Sequence, residues 1–335
     1  MQKYEKKYKA VNYSKKRITD MNLPIPPRHA AMTIAVVCGI LSGCKKFDGE
    51  TTRPAWIQID NAAVVRAANG ENERQSGWHT SDIDAVELIA LFHGDRSETT
   101  IGVFQLPCRV PVLFDGVADY VVTRPVVKQN GIAATRIYYP YLQADTSYNV
   151  RFAEGETTRL GRYDTASHTS TMDFSYWGTQ RIGELYFENF EPLASSIRMT
   201  EGCYEWITDD AAGARSGTGY VRIPTSASGN GTYLEITDSM QVDDPLKYLY
   251  LEMDYRSDVE FRIGLRSPLT DGGSDHTYYA ISLYPKQEWT KIYINLGKLW
   301  AQMNHYPLFH VVSHTLNTEQ TDGYTYIDNL KVITF

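Results

Sequence analysis

The side chains that could do chemistry in this sequence do not form a recognised catalytic set. The sequence has no G-x-S-x-G, HExxH, P-loop or CxxC pattern, so the usual nucleophile, zinc and phosphate sites are missing. Acidic residues are numerous, but no pair can be assigned to glycoside hydrolysis without its separation. His310 and His314 share one face of a predicted strand, with no third ligand in view. We therefore predict a protein that is not an enzyme and needs no catalytic cofactor.

One face of a predicted hairpin has the composition of a ligand-binding surface. Apolar and polar residues alternate over 248–255, a turn follows at 256–258, and alternation resumes over 259–266. A flat aromatic ring can stack on a sugar while charged neighbours fix its orientation. The alternative is a solvated sheet face with a cross-strand pair between Glu252 and Arg262. The outward residues, with one from a later strand, are Tyr248, Tyr250, Glu252, Arg262, Arg266 and Tyr293.

A second candidate surface lies between residues 127 and 141. Asn130-Gly131 readily supplies the positive φ angles of a tight turn, and Arg136, Tyr138 and Tyr139 follow it. The simpler interpretation is that these side chains close one edge of the first domain. The functional interpretation is a contact surface for a partner protein, because tyrosine combines a large contact area with a polar hydroxyl.

The elements that must position these residues are β-strands. The chain has 24 tyrosines, and helix-type apolar heptads are absent. We predict an all-β fold with two tandem β-sandwich domains, at 54–162 and 184–335, joined by a Ser/Thr-rich linker at 163–183. One short helix is expected over 297–306. Cys108 and Cys203 would lie in different domains, either as buried thiols or as a disulfide.

The N-terminal segment predicts export. An apolar run of about ten residues, behind eight basic residues, ends at Leu41-Ser42-Gly43-Cys44 and falls short of the roughly 20 residues of a spanning helix. This pattern resembles the lipobox of bacterial lipoproteins, which implies a signal peptide at 1–43, acylation of Cys44 and a tether at 44–53. A start at Met21 would give a signal of more ordinary length. The tether resembles a Bacteroidota-type export signal at Lys45, Lys46, Asp48 and Glu50. That resemblance implies the outer membrane and the cell surface.

The charge of the chain excludes one class of partner. Without residues 1–44 it carries 25 basic and 38 acidic side chains, a net charge of −13. Such a surface repels phosphate backbones, whereas nucleic-acid binding requires a basic footprint. We therefore exclude nucleic acid, and we expect the lipid to provide the attachment to the membrane.

Two resemblances concern the domains. The strand and turn pattern from Val86 to Pro125, with Asp115-Gly116 as a tight turn, resembles PEGA-type surface β-sandwiches. Residues 184–335 open with LYFENFE, close on YTYIDNLKV, and resemble jelly rolls of the galactose-binding and carbohydrate-binding-module type. That resemblance implies a structural calcium ion between the first and last strands, with Glu188 and Asp328 as its ligands.

Two triplets, Asp164-Thr165-Ala166 and Asp238-Ser239-Met240, resemble the O-glycosylation motif of Bacteroidota. That resemblance implies modification of Thr165 and Ser239.

Together, the features of the sequence favour a non-catalytic cell-envelope lipoprotein that acts as a binding or scaffold subunit at the outer membrane through protein–protein contacts. The alternative is a surface lipoprotein that binds glycans with its C-terminal jelly roll.

Overall fold

The computed structural model describes residues 53–66, 77–178, 181, 183–192, 201–202, 204–225, 233–235, 248–267, 276–303, 310–315 and 323–335. Residues 52–335 form one compact unit. The described segments are strands and turns with one short α-helix, which confirms the predicted all-β fold. The predicted signal peptide and Cys44 lie outside these residues.

The first sandwich contains eleven strands in the described residues. One sheet has the order β4-β3-β6-β7, with β8 also paired to β6; the others have the orders β5-β1-β9 and β10-β11-β2. The strands are β1 Ala55–Ile59, β2 Asn61–Arg66, β3 Ala85–Phe92, β4 Thr99–Gln105, β5 Cys108–Val112, β6 Gly116–Lys128, β7 Arg136–Tyr138, β8 Asp145–Phe152, β9 Thr157–Arg159, β10 Arg162–Asp164 and β11 Thr169–Ser175.

Alternation decides which side chains of these strands reach the core. β1 buries Ala55, Ile57 and Ile59, while Trp56 and Gln58 on its other face are only partly buried. This is the period of two that a strand with one buried face shows. The apolar strand β3 lies between β4 and β6, and most of its side chains are buried.

The predicted linker at 163–183 is wrong over much of its length, because it contains paired strands of the first sandwich. β10 pairs with β11, and β11 also runs parallel to β2. β11 buries Ser170, Met172 and Phe174. Ser170 is accommodated because its main-chain N–H and its hydroxyl donate to Asp60 Oδ2, at 2.7 and 3.1 Å. A Ser/Thr-rich segment therefore forms a strand whose buried polar group is satisfied.

The second sandwich has two sheets that enclose a second core. Their orders are β14-β15-β22-β17-β20, with β12 also paired to β22, and β13-β16-β21-β18-β19. The elements are β12 Gly183–Glu188, β13 Glu201–Gly202, β14 Glu205–Ile207, β15 Tyr220–Thr225, β16 Tyr233–Glu235, β17 Leu249–Ser257, β18 Phe261–Ser267, β19 His276–Leu283, β20 Lys286–Asn295, α1 Gly297–Gln302, β21 His310–Thr315 and β22 Gly323–Thr334.

The order of these strands is that of a jelly roll. From β15 to β22 the chain alternates between the two sheets, except that β18 and β19 are neighbours in one sheet. The result is β15-β22-β17-β20 facing β16-β21-β18-β19. The predicted jelly-roll sandwich is therefore confirmed by the topology. The predicted helix is confirmed too, although it ends at Gln302, and it buries Leu299. In the part of the chain that the structure describes, no helix is long and apolar enough to cross a membrane.

The predicted hairpin of β17 and β18 is wrong. β17 pairs with β20 and β22 in one sheet, whereas β18 pairs with β19 and β21 in the other. The turn at 258–260 thus carries the chain from one sheet to the facing sheet. Alternation identifies the buried face of each strand, but it contains no information about which sheet the strand joins. The cross-strand pair of Glu252 with Arg262, which belonged to the alternative interpretation of this face, is therefore wrong as well.

The two sandwiches share a buried boundary. The core of the first sandwich includes Tyr250, Tyr293 and Ile333, which belong to β17, β20 and β22 of the second sandwich. A parallel bridge also joins Gln129, at the end of β6, to Tyr293. The first jelly-roll sheet is consequently covered on both faces over part of its area, by its own core and by the first sandwich.

Candidate functional site

The predicted ligand-binding face is divided by the fold. Tyr293 lies directly opposite Glu252, as expected, and Tyr250 lies on the same face. These three side chains are only 1%, 0% and 3% exposed, because the first sandwich covers them. Tyr248, at the margin, remains 41% exposed. The central part of the predicted face is therefore an internal contact between the sandwiches.

Glu252 is the centre of a buried charge cluster at this boundary. Its carboxylate lies 3.0 Å from Lys331 Nζ and 3.6 Å from Lys291 Nζ. The Tyr139 hydroxyl donates to Glu252 Oε1 at 2.6 Å, and the Tyr176 hydroxyl lies 2.9 Å from Oε2. Burial by itself would raise the pKa of Glu252, but the two ammonium groups and the tyrosine hydrogen bond hold it below its usual value.

For Lys331, burial changes the pKa more than the neighbouring charges do. Its ammonium group lies 4.3 Å from the centre of the Trp78 ring and 5.1 Å from that of Tyr176, which replaces part of its hydration by cation–π contacts. Burial lowers its pKa to about 8, although Glu252 opposes that shift. A buried charge of this kind needs partners, and both sandwiches contribute them.

The predicted partner-contact block also faces inward in part. Tyr139 is fully buried against Glu252, and Asn130 donates its main-chain N–H to the Tyr293 carbonyl at 2.8 Å. Arg136 instead pairs with Asp84 at 2.6 Å, and the Tyr138 hydroxyl donates to the Leu142 carbonyl at 2.9 Å. The surface that tyrosine content suggested for a partner protein therefore contacts the second sandwich of the same chain at Asn130 and Tyr139.

The two remaining residues of the predicted face, Arg262 and Arg266, lie on β18 in the other jelly-roll sheet. The Arg262 guanidinium lies 5.3 Å from the centre of the Tyr279 ring. Arg266 forms an ion pair with Glu235 at 2.5 Å. Both arginines point away from the core, as predicted, but they share no face with Tyr250, Glu252 or Tyr293.

A surface that the sequence prediction missed lies on the uncovered part of the first jelly-roll sheet. Register places Arg222 of β15 opposite Tyr326 of β22, and Tyr326 opposite Arg256 of β17. Because these three positions are neighbours across adjacent strands, their side chains form one row. Trp289 of β20 continues the row and Tyr324 flanks it. We call these residues the arginine–aromatic platform: Arg222, Arg256, Trp289, Tyr324 and Tyr326.

The platform consists of stacked planar groups. The Arg256 guanidinium lies 4.2 Å from the centre of the Tyr326 ring and 5.4 Å from that of Trp289. The Arg222 guanidinium lies 5.0 Å from the centre of the Tyr324 ring. The rings of Tyr324 and Tyr326 are 5.9 Å apart and tilted by 46°. All five side chains are partly exposed, so the row presents aromatic rings and charged donors side by side.

Contacts beneath the row hold it in position. Arg222 is paired with Glu205, with Nε donating to Oε2 at 2.5 Å, and the Trp289 indole N–H donates to the Gly213 carbonyl at 2.9 Å. Tyr220 packs against Trp289 with its ring centre 6.2 Å away. The alternation of Tyr324 and Tyr326 in the final strand was a readable sign of an outward aromatic face. The arginines that complete it come from strands distant in sequence.

The residues predicted to bind calcium accept hydrogen bonds from main-chain N–H groups. The Asp328 carboxylate accepts main-chain N–H groups from Arg215, Ser216 and Asn329, at 3.0, 3.2 and 2.7 Å. Glu188 Oε1 accepts the Phe190 N–H at 2.7 Å. Among the described residues, no group of three or more His, Cys, Asp or Glu side chains could hold a metal ion. Both carboxylates thus bind main-chain donors, and the structural calcium ion stays a prediction.

The predicted modification sites lie in different parts of the chain. Thr165 lies in the exposed turn between β10 and β11, and its glycosylation stays a prediction. Cys108 is a free, partly buried thiol whose pKa is raised by burial. Acylation of Cys44, glycosylation of Ser239 and any pairing of Cys203 concern residues outside the described part of the chain.

Comparison with known proteins found similarity to solved structures but no match to a protein family or a curated sequence. No protein-family model matches the sequence, and no curated protein matches it. A family 30 carbohydrate-binding module of a cellulosomal cellulase of Clostridium thermocellum is 12% identical, with 46% of this chain and 96% of that chain covered and a TM-score of 0.34.

Two other solved structures are similar over comparable lengths. A family 11 carbohydrate-binding module from Clostridium thermocellum, in complex with a mixed-linked tetrasaccharide, is 13% identical over 46% of this chain and 89% of that chain, with a TM-score of 0.30. The K2 cleaved adhesin domain of Lys-gingipain is 12% identical over 45% and 97%, also with a TM-score of 0.30. With TM-scores below 0.5, these similarities carry no conclusion about the ligand of this chain.

Proposed function

We propose that this protein is a non-catalytic glycan-binding protein whose ligand lies on the arginine–aromatic platform. The observation that supports this function is the row of Arg222, Tyr326, Arg256 and Trp289 across four neighbouring strands. With strands about 4.8 Å apart, the row is roughly 14 Å long. A surface of that length suits an oligosaccharide better than a single sugar.

The chemistry of the row matches a sugar chain. Pyranose rings present apolar C–H faces that stack on flat aromatic groups, and their hydroxyls accept hydrogen bonds from guanidinium N–H groups. Arg256 is fixed between Tyr326 and Trp289, and Arg222 is fixed by Glu205. Because the side chains are already held in place, binding would cost little side-chain entropy.

The first sandwich has a supporting part in this function. It covers Tyr250, Glu252 and Tyr293, which belong to the same sheet as the platform, and leaves the platform open. Aromatic and charged residues of this one sheet therefore have two roles. Some contact the first sandwich, and the others form the platform. No observation favours the scaffold function, because Asn130 and Tyr139 contact the chain's own second sandwich.

The test is binding to a glycan array, followed by titration calorimetry with the best neutral oligosaccharide. Tyr326→Ala should lower the affinity about tenfold or more, since it removes a ring from the row and the stacking partner of Arg256 (about 1.4 kcal/mol per factor of ten). Tyr148→Ala is the matched control, because Tyr148 is a 70% exposed tyrosine on the first sandwich. Equal affinity for the two variants would refute the platform as the binding site.

A further inference from the structure

A small cleft lies beside β20, at the boundary between the sandwiches and away from the platform row. It has a volume of about 100 Å³ and receives side chains from both sandwiches. Asp82 comes from the first sandwich, whereas Lys286 and Thr290 come from the second. Tyr255 and Ile292 supply an apolar wall. We call this cavity the edge cleft.

The edge cleft contains one charged group from each sandwich that is not paired within the described residues. The Asp82 carboxylate and the Lys286 ammonium group make no hydrogen bond or ion pair with the residues that the structure describes. Asp82 is nevertheless held in place, because its main-chain N–H donates to the Tyr293 hydroxyl at 3.1 Å. Burial raises the pKa of the Asp82 carboxyl, which Lys128 only partly offsets. A partly buried carboxylate without a donor costs stability, and it can accept a hydrogen bond from a ligand.

The other charged residues of the cleft are already paired. Lys128 lies 3.0 Å from Asp84 Oδ2, and Lys291 donates to the Thr80 hydroxyl at 3.0 Å while it lies 3.5 Å from Asp254. The unpaired carboxylate would repel an anion, and the unpaired ammonium group would repel a cation. The cleft therefore suits a neutral ligand that can both donate and accept hydrogen bonds.

We propose that the edge cleft binds one neutral sugar unit, with Asp82 accepting from and Lys286 donating to adjacent hydroxyls. The volume would hold roughly seven to ten waters, which fits one ring rather than a chain. The apolar wall of Tyr255 and Ile292 would contact the C–H groups of the ring. This site is separate from the platform, and it does not depend on the function proposed there.

The test is ligand-observed NMR of the intact protein with methyl glucoside, methyl mannoside, methyl galactoside, glucuronate and glucosamine as probes. At least one neutral methyl glycoside should bind saturably, and the charged sugars should bind at least fivefold more weakly. Asp82→Ala and Lys286→Met should each weaken the neutral sugar at least fivefold. Lys286 is exposed, so its variant tests the cleft even if Asp82→Ala fails to fold.

Two control variants distinguish binding in the edge cleft from binding elsewhere on the protein. Asp95→Ala removes an exposed carboxylate from a turn of the first sandwich and should leave sugar binding unchanged. Tyr326→Ala removes a ring of the platform, so sugar binding that persists in this variant belongs to another surface of the protein. The proposal is overturned if no neutral glycoside binds, if a charged sugar binds better, or if Lys286→Met has wild-type affinity. Loss of binding in Tyr326→Ala alone would assign the sugar to the platform.

Discussion

At the scale of single residues, the boundary between the sandwiches depends on charges that are removed from water. Glu252, Lys291 and Lys331 have fully buried side chains, and hydroxyls of Tyr139 and Tyr176 complete the coordination of the carboxylate. Removal of one partner from such a cluster leaves an uncompensated buried charge, which typically costs about 3–5 kcal/mol. Each member of the cluster therefore depends on partners from both sandwiches for its charge to be tolerated at the boundary.

Lys331 should make the stability of the fold depend on pH. Its pKa in the folded chain is about 8, below its ordinary value of 10.5, so the unfolded chain binds more protons between these values. The free energy of unfolding should therefore rise with pH from 8 to 10, by up to about 1.4 kcal/mol per unit. Urea unfolding at pH 8, 9 and 10 measures this, and Lys331→Met should lack that contribution.

The increase in the free energy of unfolding with pH should end near pH 10. Burial, with Glu252 nearby, raises the pKa of Tyr139 well above its usual value of 10, so the unfolded chain loses tyrosine protons first at higher pH. Stability should then fall. Lys298→Met removes an exposed lysine of α1 and should retain the wild-type slope. An identical slope in wild type and Lys331→Met would contradict the assignment.

At the scale of elements, β11 is a core strand that the sequence pattern predicted to be part of a linker. Phe174 is 1% exposed in the core of the first sandwich, although its segment has the composition of a linker. Phe174→Ala should lower the free energy of unfolding by about 3–5 kcal/mol, because it leaves a cavity in a packed core. Chemical denaturation followed by tryptophan fluorescence measures this change.

Tyr163→Ala is the control for that experiment. Tyr163 lies in β10, within the same predicted linker, but it is 42% exposed and contacts Arg159 through its ring face. Its removal should cost less than about 1 kcal/mol. A small effect at both positions would mean that residues 163–175 do form a linker, and that β10 and β11 do not belong to the sandwich core.

At the scale of the whole molecule, the two sandwiches should not be independent in stability. Tyr250, Tyr293 and Ile333 of the jelly roll are buried in the first core, and full burial of such side chains is worth about 1.5–3 kcal/mol each. A fragment of residues 181–335 would expose them together with Glu252 and Lys331. It should melt about 10 °C or more below residues 53–335, since 1 kcal/mol corresponds to roughly 2–4 °C at this size.

Calorimetry of the two purified proteins compares these melting temperatures. The longer protein should unfold in one transition, because the shared core couples its sandwiches. A monomeric fragment that melts within a few degrees of the longer protein would show that the boundary contributes little. Two separate transitions in the longer protein would lead to the same conclusion.

The jelly roll was predicted from the resemblance of residues 184–335 to carbohydrate-binding-type domains. Local patterning in the sequence was sufficient to predict the all-β class, the helix near Leu299 and the outward direction of Arg262 and Arg266. Each of these follows from the period of apolar residues along one segment. Tertiary structure alone decided that Tyr250, Glu252 and Tyr293 are covered while Arg222, Arg256 and Tyr326 are open. The two groups share one sheet and one chemical composition, so alternation cannot distinguish them. Strand order and the docking of the first sandwich do so, because both depend on contacts between residues far apart in the chain.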